Sequence, residues 1–323
     1  MSLSFVGRIL LLVLIAVLVV PVLVTLPPVS GTVAPGELAP PGAVFVDAGG
    51  VFTHCTVTGS GEPALVLLHG FGASVLSWEE VLEPLGQMTM TVAYDRPGFG
   101  LTHRPPREEQ PPDLYSPQGA VDHLVATMDA LDVGEAVLVG HSAGGTVALH
   151  AAGLHPERVR ALVLVAPAAY RGRTVPELVR PLLRTPHFDL LGPLALRYAA
   201  PRMITPLLAR AWHDEDRITD AVRGRYTLSL GAHDWDRGLW ELVRSTGTTR
   251  LDLDYQDLEV PALVITGDDD RIIPLRDSVR LAGELPEAEL VVIPFCGHVP
   301  HEERPRAFLE SVVEFLERAI EGP

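Results

Sequence analysis

A chain of 323 residues with 47% apolar and 20% charged positions can bury a substantial core. That excludes a disordered or fibrous protein and sets the expectation of one large globular domain, or one domain with an insertion. The formal charge of −16, from 41 acidic against 25 basic residues, argues against electrostatic binding to nucleic acid or to an anionic membrane surface.

The amino-terminal residues 1–26 differ in kind. From Ile9 to Leu26 the chain carries no charge and is aliphatic apart from Pro21 and Thr25. As a helix this run would span about 27 Å at ~1.5 Å per residue, close to the thickness of a bilayer core. The expectation is an uncleaved transmembrane anchor; the competing reading is a cleaved signal segment, with a weak small-residue site at Val29 to Gly31. Arg8 precedes the run and no basic residue follows it until Arg96. The positive-inside rule therefore places the main domain outside the cytoplasm, attached to the membrane or, if the segment is cleaved, secreted. Residues 27–42 are rich in proline and glycine and read as a semi-extended linker to a folded domain at 43–318.

Within that domain, short apolar runs alternate with helical patterns. Residues 43–47 and 51–57 flank a Gly-Gly turn and predict an antiparallel hairpin at a sheet edge. Runs at 64–69, 90–94, 136–140, 159–166, 262–266 and 289–293 are nearly continuous aliphatic segments, the pattern of parallel strands buried on both faces. Ser116 predicts a helix cap with Pro117 at the first helical position. Further helices are expected after Ser142, between the last two strands, and from Pro305 to the end. The fold class is α/β, a doubly wound, mostly parallel eight-stranded sheet. From about 168 to 258 there are no strand runs, only amphipathic pieces, prolines and Trp212, Trp235 and Trp240. This stretch is too long for an ordinary crossover and predicts a helical cap over the carboxyl edge of the sheet. The tryptophans read as packing residues or as the lining of an acyl pocket.

Four loops at the carboxyl ends of predicted strands carry chemistry: "HGFG" at 69–72, "GHSAGG" at 140–145, "GDDDRIIP" at 267–274 and "CGHVPHEERP" at 296–305. Serine, then acid, then histidine on separate loops at one sheet edge is what a hydrolytic triad requires. Cys55 and Cys296 are too few for a disulfide framework and lack zinc-site spacing. They read as two separate buried residues, with one bridge in an oxidising compartment left open.

In these motifs the sequence resembles the α/β-hydrolase superfamily across residues 43 to about 318. Gly140, His141, Ser142, Ala143 and Gly144 match its G-x-S-x-G nucleophile elbow, His69 and Gly70 its oxyanion loop, Asp270 its acid position, and Gly297 and His298 its terminal G-H pair. "YDRPGFG" at 94–100 also matches, with Asp95 and Arg96 expected to stabilise that loop. The resemblance implies Ser142 as nucleophile, His298 as base and Asp270 as the acid that orients it. The backbone N–H groups of Phe71 and Ala143 become the oxyanion hole, with His69, Gly70 and His141 in support. Asp268 and Asp269 rival Asp270, and His301 rivals His298. The bland alternative for Ser142 is a small polar residue at a strand-to-helix turn.

Serine at the elbow excludes the relatives that attack with aspartate. The expected activity is hydrolysis of small-molecule carboxylic esters, apolar or lipid-derived, through an acyl-enzyme. The alternatives are a C–C hydrolase or cofactor-free perhydrolase with the same triad, and a silent ligand-binding member. No metal or organic cofactor is implied, and the oligomeric state is not legible.

Overall fold

The computed structural model describes residues 5–24, 26–170, 178–245 and 253–321. Eight strands form one sheet: β1 (Val44–Ala48), β2 (Val51–Thr58), β3 (Ala64–Leu68), β4 (Thr91–Tyr94), β5 (Ala136–His141), β6 (Val159–Val165), β7 (Ala262–Gly267) and β8 (Ala288–Ile293). The helices, in chain order, are α1 (Phe5–Leu23), α2 (Pro35–Leu38), α3 (Glu79–Gly86), α4 (Pro117–Ala130), α5 (Ala143–Leu154), α6 (Arg180–Leu183) and α7 (Pro186–Ala211). They continue with α8 (Asp220–Thr227), α9 (Trp235–Ser245), α10 (Leu275–Glu284), α11 (Pro300–Glu303) and α12 (Pro305–Glu321).

The order across the sheet is β1-β2-β4-β3-β5-β6-β7-β8. The β1–β2 and β2–β4 pairs are antiparallel and every other neighbouring pair is parallel. Helices cover both faces, which is why the central strands can be aliphatic at every position. On β3, Val66 and Leu68 join Val121, Leu124 and Met128 of α4 and Leu281 of α10 on one face. Leu65 and Leu67 join Trp78, Val81 and Leu85 around α3 and Phe308, Val312 and Phe315 of α12 on the other. The α4 cap forms as the sequence predicts, with Ser116 Oγ accepting from the Gly119 N–H at 3.0 Å.

Between β6 and β7 the described residues are helical, α6 to α9 with short 3₁₀ turns; parts of the predicted cap, at 171–177 and 246–252, lie outside the described residues. Trp212, Trp235 and Trp240 are buried in this helical region. Trp240 stacks on Phe188 and abuts Gly192, so its ring serves packing. The proline-rich linker docks here and does not hang free. Prolines leave carbonyls without neighbouring N–H donors, and arginines take them: Arg197 Nη2 donates to Pro27 O at 2.6 Å, and Arg237 Nη2 donates to Leu26 O. Val33 then pairs in parallel with Ala232, donating to Gly231 O at 2.9 Å and accepting from His233 N at 2.8 Å.

The expectation of a membrane-spanning anchor is overturned. Among the described residues no helix is long and apolar enough to cross a membrane. α1 has Arg8 within its first turns and Pro21 inside its last, and the residues between them, 9 to 20, extend only about 18 Å as a helix. The extracytoplasmic or secreted placement rested on that segment and falls with it. Cys55 and Cys296 are both buried and free.

Leu67 is fully buried in the middle of the sheet. Leu67→Ala is expected to lower the unfolding free energy by about 2–5 kcal/mol through lost burial and a residual cavity. Urea titration checks this as a lower midpoint at unchanged slope.

Candidate active site

Ser142 follows directly on β5 and immediately precedes α5. Its backbone sits at φ 52° and ψ −116°, a region that residues with a Cβ rarely adopt. The turn is held from both sides: Ser142 N–H donates to Val165 O at 2.9 Å, and Ser142 O accepts from Ala168 N at 3.0 Å. It closes only because its neighbours lack side chains. A Cβ on Gly144 would lie 2.1 Å from Leu68 O, and one on Gly70 would lie 2.7 Å from His141 Nδ1 and 3.3 Å from Ser142 Cβ. A serine placed merely to begin a helix would bond a backbone N–H of the first turn. The Ser142 side chain makes no such capping bond.

The turn after β7 places three acids, and the structure separates their roles. Asp270 Oδ1 accepts from Ile272 N and Ile273 N, each at 2.8 Å, while its Oδ2 meets His298 Nδ1 at 2.7 Å. The Asp270 side chain is fully buried and that of His298 nearly so. Asp268 Oδ1 instead accepts from Cys296 N at 3.2 Å. Asp269 Oδ2 is taken by His213 Nδ1 at 2.8 Å and by Arg271 at 2.6 Å, and the bond from His213 is the main cause holding its carboxyl below the usual range. The rival His301 is fully buried against Trp78 and His141, its ring nitrogens lack hydrogen-bond partners, and burial pushes its pKa down to about 3.

The loop of Phe71, the expected oxyanion donor, is shaped by a neutral histidine. Burial, aided by Arg96, pushes His69 down to about 3. Its Nδ1–H donates to Gly70 O at 2.7 Å and its Nε2 accepts from Arg96 N at 3.0 Å, which fixes the tautomer. The Gly70 carbonyl and the Phe71 N–H belong to one planar peptide and point in opposite directions. Gripping the carbonyl therefore aims the N–H. Phe71 carries its ring outward, edge-on to Phe99 at 5.3 Å. Ala143, the first residue of α5, has an amide with no intrahelical acceptor. Asp95 locks the neighbouring loop, accepting from His54 Nδ1, Val75 N and Leu101 N, each at 2.7 Å. Among the described residues no group of three or more histidine, cysteine, aspartate or glutamate side chains is arranged to hold a metal ion.

Comparison with known proteins agrees with this architecture. A family model described as the alpha/beta hydrolase family matches residues 65–311. The chain belongs to the α/β hydrolase family. This α/β hydrolase is 32% identical to a 2-hydroxymuconate semialdehyde hydrolase of a Pseudomonas species, over 84% of this chain and 93% of the relative. It is 30% identical to the 2-hydroxy-6-oxo-2,4-heptadienoate hydrolase of Pseudomonas putida, over 84% of this chain and 95% of that one. Among solved structures it resembles a meta-cleavage product hydrolase from Pseudomonas fluorescens, with TM-score 0.65 and 26% identity, covering 85% of this chain and 97% of that chain. The protein is therefore a hydrolase.

Two features of the site escaped the reading of the sequence. His141, expected only as a supporting residue, donates through Nε2–H to the His298 carbonyl at 2.9 Å and packs against both His298 and His301. Burial holds it neutral, well below the usual histidine range. Behind this stack lies Glu302, buried and raised to about 8 by burial against the opposing pull of Tyr226 and Arg225. Tyr226 of α8 donates its O–H to Glu302 Oε1, joining the helical region to α11. Nothing in "HVPHEERP" marks that glutamate as buried.

A carboxyl raised in the folded state holds a proton that the unfolded chain has lost, so its contribution to stability declines between the unfolded value near 4.5 and about 8. The buried histidines act in the opposite sense and only below about 6.5. Between pH 6.5 and 8 the wild type is therefore expected to lose up to about 1.4 kcal/mol per pH unit. Glu302→Gln, which mimics the protonated acid, flattens that slope. Urea unfolding at several pH values is the measurement, and parallel slopes for both proteins would disprove the assignment.

Proposed function

We propose that this α/β hydrolase is a serine hydrolase of C–C bonds, acting on aldehydes or ketones conjugated to a dienoate through Ser142, His298 and Asp270. The observation that carries this reading is the 32% identity, over 84% of the chain, to a 2-hydroxymuconate semialdehyde hydrolase. The chemistry such substrates need is consistent with the site. Asp270 holds Nδ1 of His298, which leaves Nε2 to remove the Ser142 proton as Oγ attacks the carbonyl carbon. The Phe71 and Ala143 N–H groups stabilise the oxyanion. Once the substrate has taken its keto form, with the 2-hydroxyl proton moved to the carbon beside the attacked carbonyl, collapse of the tetrahedral adduct breaks the C–C bond, the electron pair of the departing carbon is delocalised as an enolate onto the 2-keto group, and His298 returns the proton to that carbon. Water activated by the same histidine then releases the acyl group.

Carboxylic esters, expected from the sequence, are the second reading. The same three side chains act on the acyl carbon whether carbon or oxygen leaves, and the strained elbow and Asp270–His298 pair favour both.

The test is turnover of 2-hydroxy-6-oxo-dienoates, followed by loss of their conjugated absorbance, beside a panel of acyl esters and a fluorophosphonate probe. Dienoate turnover is expected to exceed ester turnover, and Ser142→Ala should abolish labelling and lower kcat by at least about 10³-fold. Ester turnover alone would replace the C–C reading with the ester one. Labelling that survives in Ser142→Ala would remove that residue as nucleophile, and neither labelling nor turnover would point to a ligand-binding member.

A further inference from the structure

Glu303 lies at the end of α11, five residues beyond His298, and is fully buried. Among the described residues its carboxylate forms no ion pair with a cation. Oε2 accepts from Gly297 N at 2.7 Å and from His213 N at 3.1 Å, and Oε1 accepts from Asp214 N at 2.9 Å. One side chain thus gathers three backbone amides, one from the loop that carries His298 and two from the chain that leaves α7. The same seam is closed by backbone alone at its next position, where His298 N–H donates to Ala211 O at 2.6 Å. Approach is so close that a Cβ on Gly297 would lie 2.2 Å from Ala211 O and 2.8 Å from His213 N. The Glu303 carbonyl is taken in turn by Arg217 Nη1 at 2.6 Å.

The opposite side of the His298 loop is equally confined. Asp269 N–H donates to Cys296 O at 3.0 Å, and a Cβ on Gly267 would lie 2.2 Å from both Cys296 O and Gly297 O. The loop therefore sits between the acid turn after β7 and the end of α7. A buried carboxylate with three amide donors is a strong, directional staple.

We propose that Glu303 is a positioning residue for the hydrolysis: it fixes the backbone of Gly297 and His298 against Ala211–Asp214, so that the helical region sets where the His298 ring meets Asp270. The inference rests on the reading of His298 as the base. In Glu303→Gln the shape is kept, but one oxygen becomes an NH₂ group facing an N–H. The loop can then relax by a fraction of an ångström, enough to matter because misplacement of about 1 Å costs on the order of 10²-fold in rate.

The experiment compares wild type, Glu303→Gln and Val312→Ala. Val312 is a buried apolar residue of α12 whose side chain takes no part in the hydrogen bonds of the His298 loop, and its variant controls for lost stability. Two readouts are taken: kcat and KM on the substrate identified above, and the downfield ¹H resonance of the proton in the 2.7 Å His298–Asp270 bond. Glu303→Gln is expected to lose roughly ten- to a hundredfold in kcat, with KM little changed, and to shift or broaden that resonance. Val312→Ala should lower Tm while keeping both. If Glu303→Gln behaves like Val312→Ala in both readouts, the proposal is overturned. If the wild type turns over no substrate, the serine-hydrolase reading fails, and the resonance still decides whether Glu303 sets the ring. Should Glu303→Gln not fold, Arg217→Ala, which frees the Glu303 carbonyl, is expected to move the resonance in the same direction by less; an unmoved resonance there also overturns the proposal.

Discussion

Holding Ser142 at φ 52° and ψ −116° costs roughly 1–3 kcal/mol, and the surrounding sheet supplies the contacts that offset it. The N–H and C=O of that residue are both bonded to the chain leaving β6, while Gly144 lets the first turn of α5 come down onto the end of β3. The elbow is therefore possible only where β5 is flanked by β3 and β6, at the centre of a parallel sheet. Relaxing the turn would separate α5 from β3, and the buried layer between them makes that more costly than the strain.

From this fixed point the other loops take their places through neutral or fully satisfied groups. His69 and His141 are kept uncharged by burial, so each has one donor and one acceptor nitrogen. Each spends a donor on a backbone carbonyl, Gly70 for one and His298 for the other. These bonds set peptide directions, which an imidazolium in the same low-dielectric position would do only at a large desolvation cost. Asp270 and Asp95 solve the opposite problem, burying carboxylates by saturating them with donors, two of them backbone amides in each case.

The helical region between β6 and β7 is bound to the hydrolase core by polar links. Tyr226 reaches Glu302, His213 reaches Asp269, and the backbone at Ala211 to Asp214 reaches the His298 loop. These links fall on the acid and base loops and leave the elbow untouched. The helical region is thus coupled to the His298 loop more directly than to Ser142. In the proposed reaction that coupling matters, since a carbon leaving group needs a well-placed proton donor as the bond breaks.

Much of the framework was legible in the sequence. Aliphatic runs bounded by glycine and proline place all eight strands within a residue or two, because a strand buried on both faces admits little else, and Ser116-Pro117 marks the start of α4. The order of serine, acid and histidine, each after a strand, pointed to Ser142 and His298, and the family spacing to Asp270, with Asp268, Asp269 and His301 left as rivals. Composition alone misled at the amino terminus, where an apolar run is not in itself a membrane-crossing helix. It read residues 27–42 as a semi-extended linker and gave no sign that Arg197 and Arg237 take the carbonyls of Pro27 and Leu26. Only the tertiary structure shows that Asp270, and not Asp268 or Asp269, meets the His298 ring, and only it shows Glu303 gathering three backbone amides. Which amide or ring nitrogen a carboxylate meets is decided by segments distant in the chain, and local residue pattern carries no record of that distance.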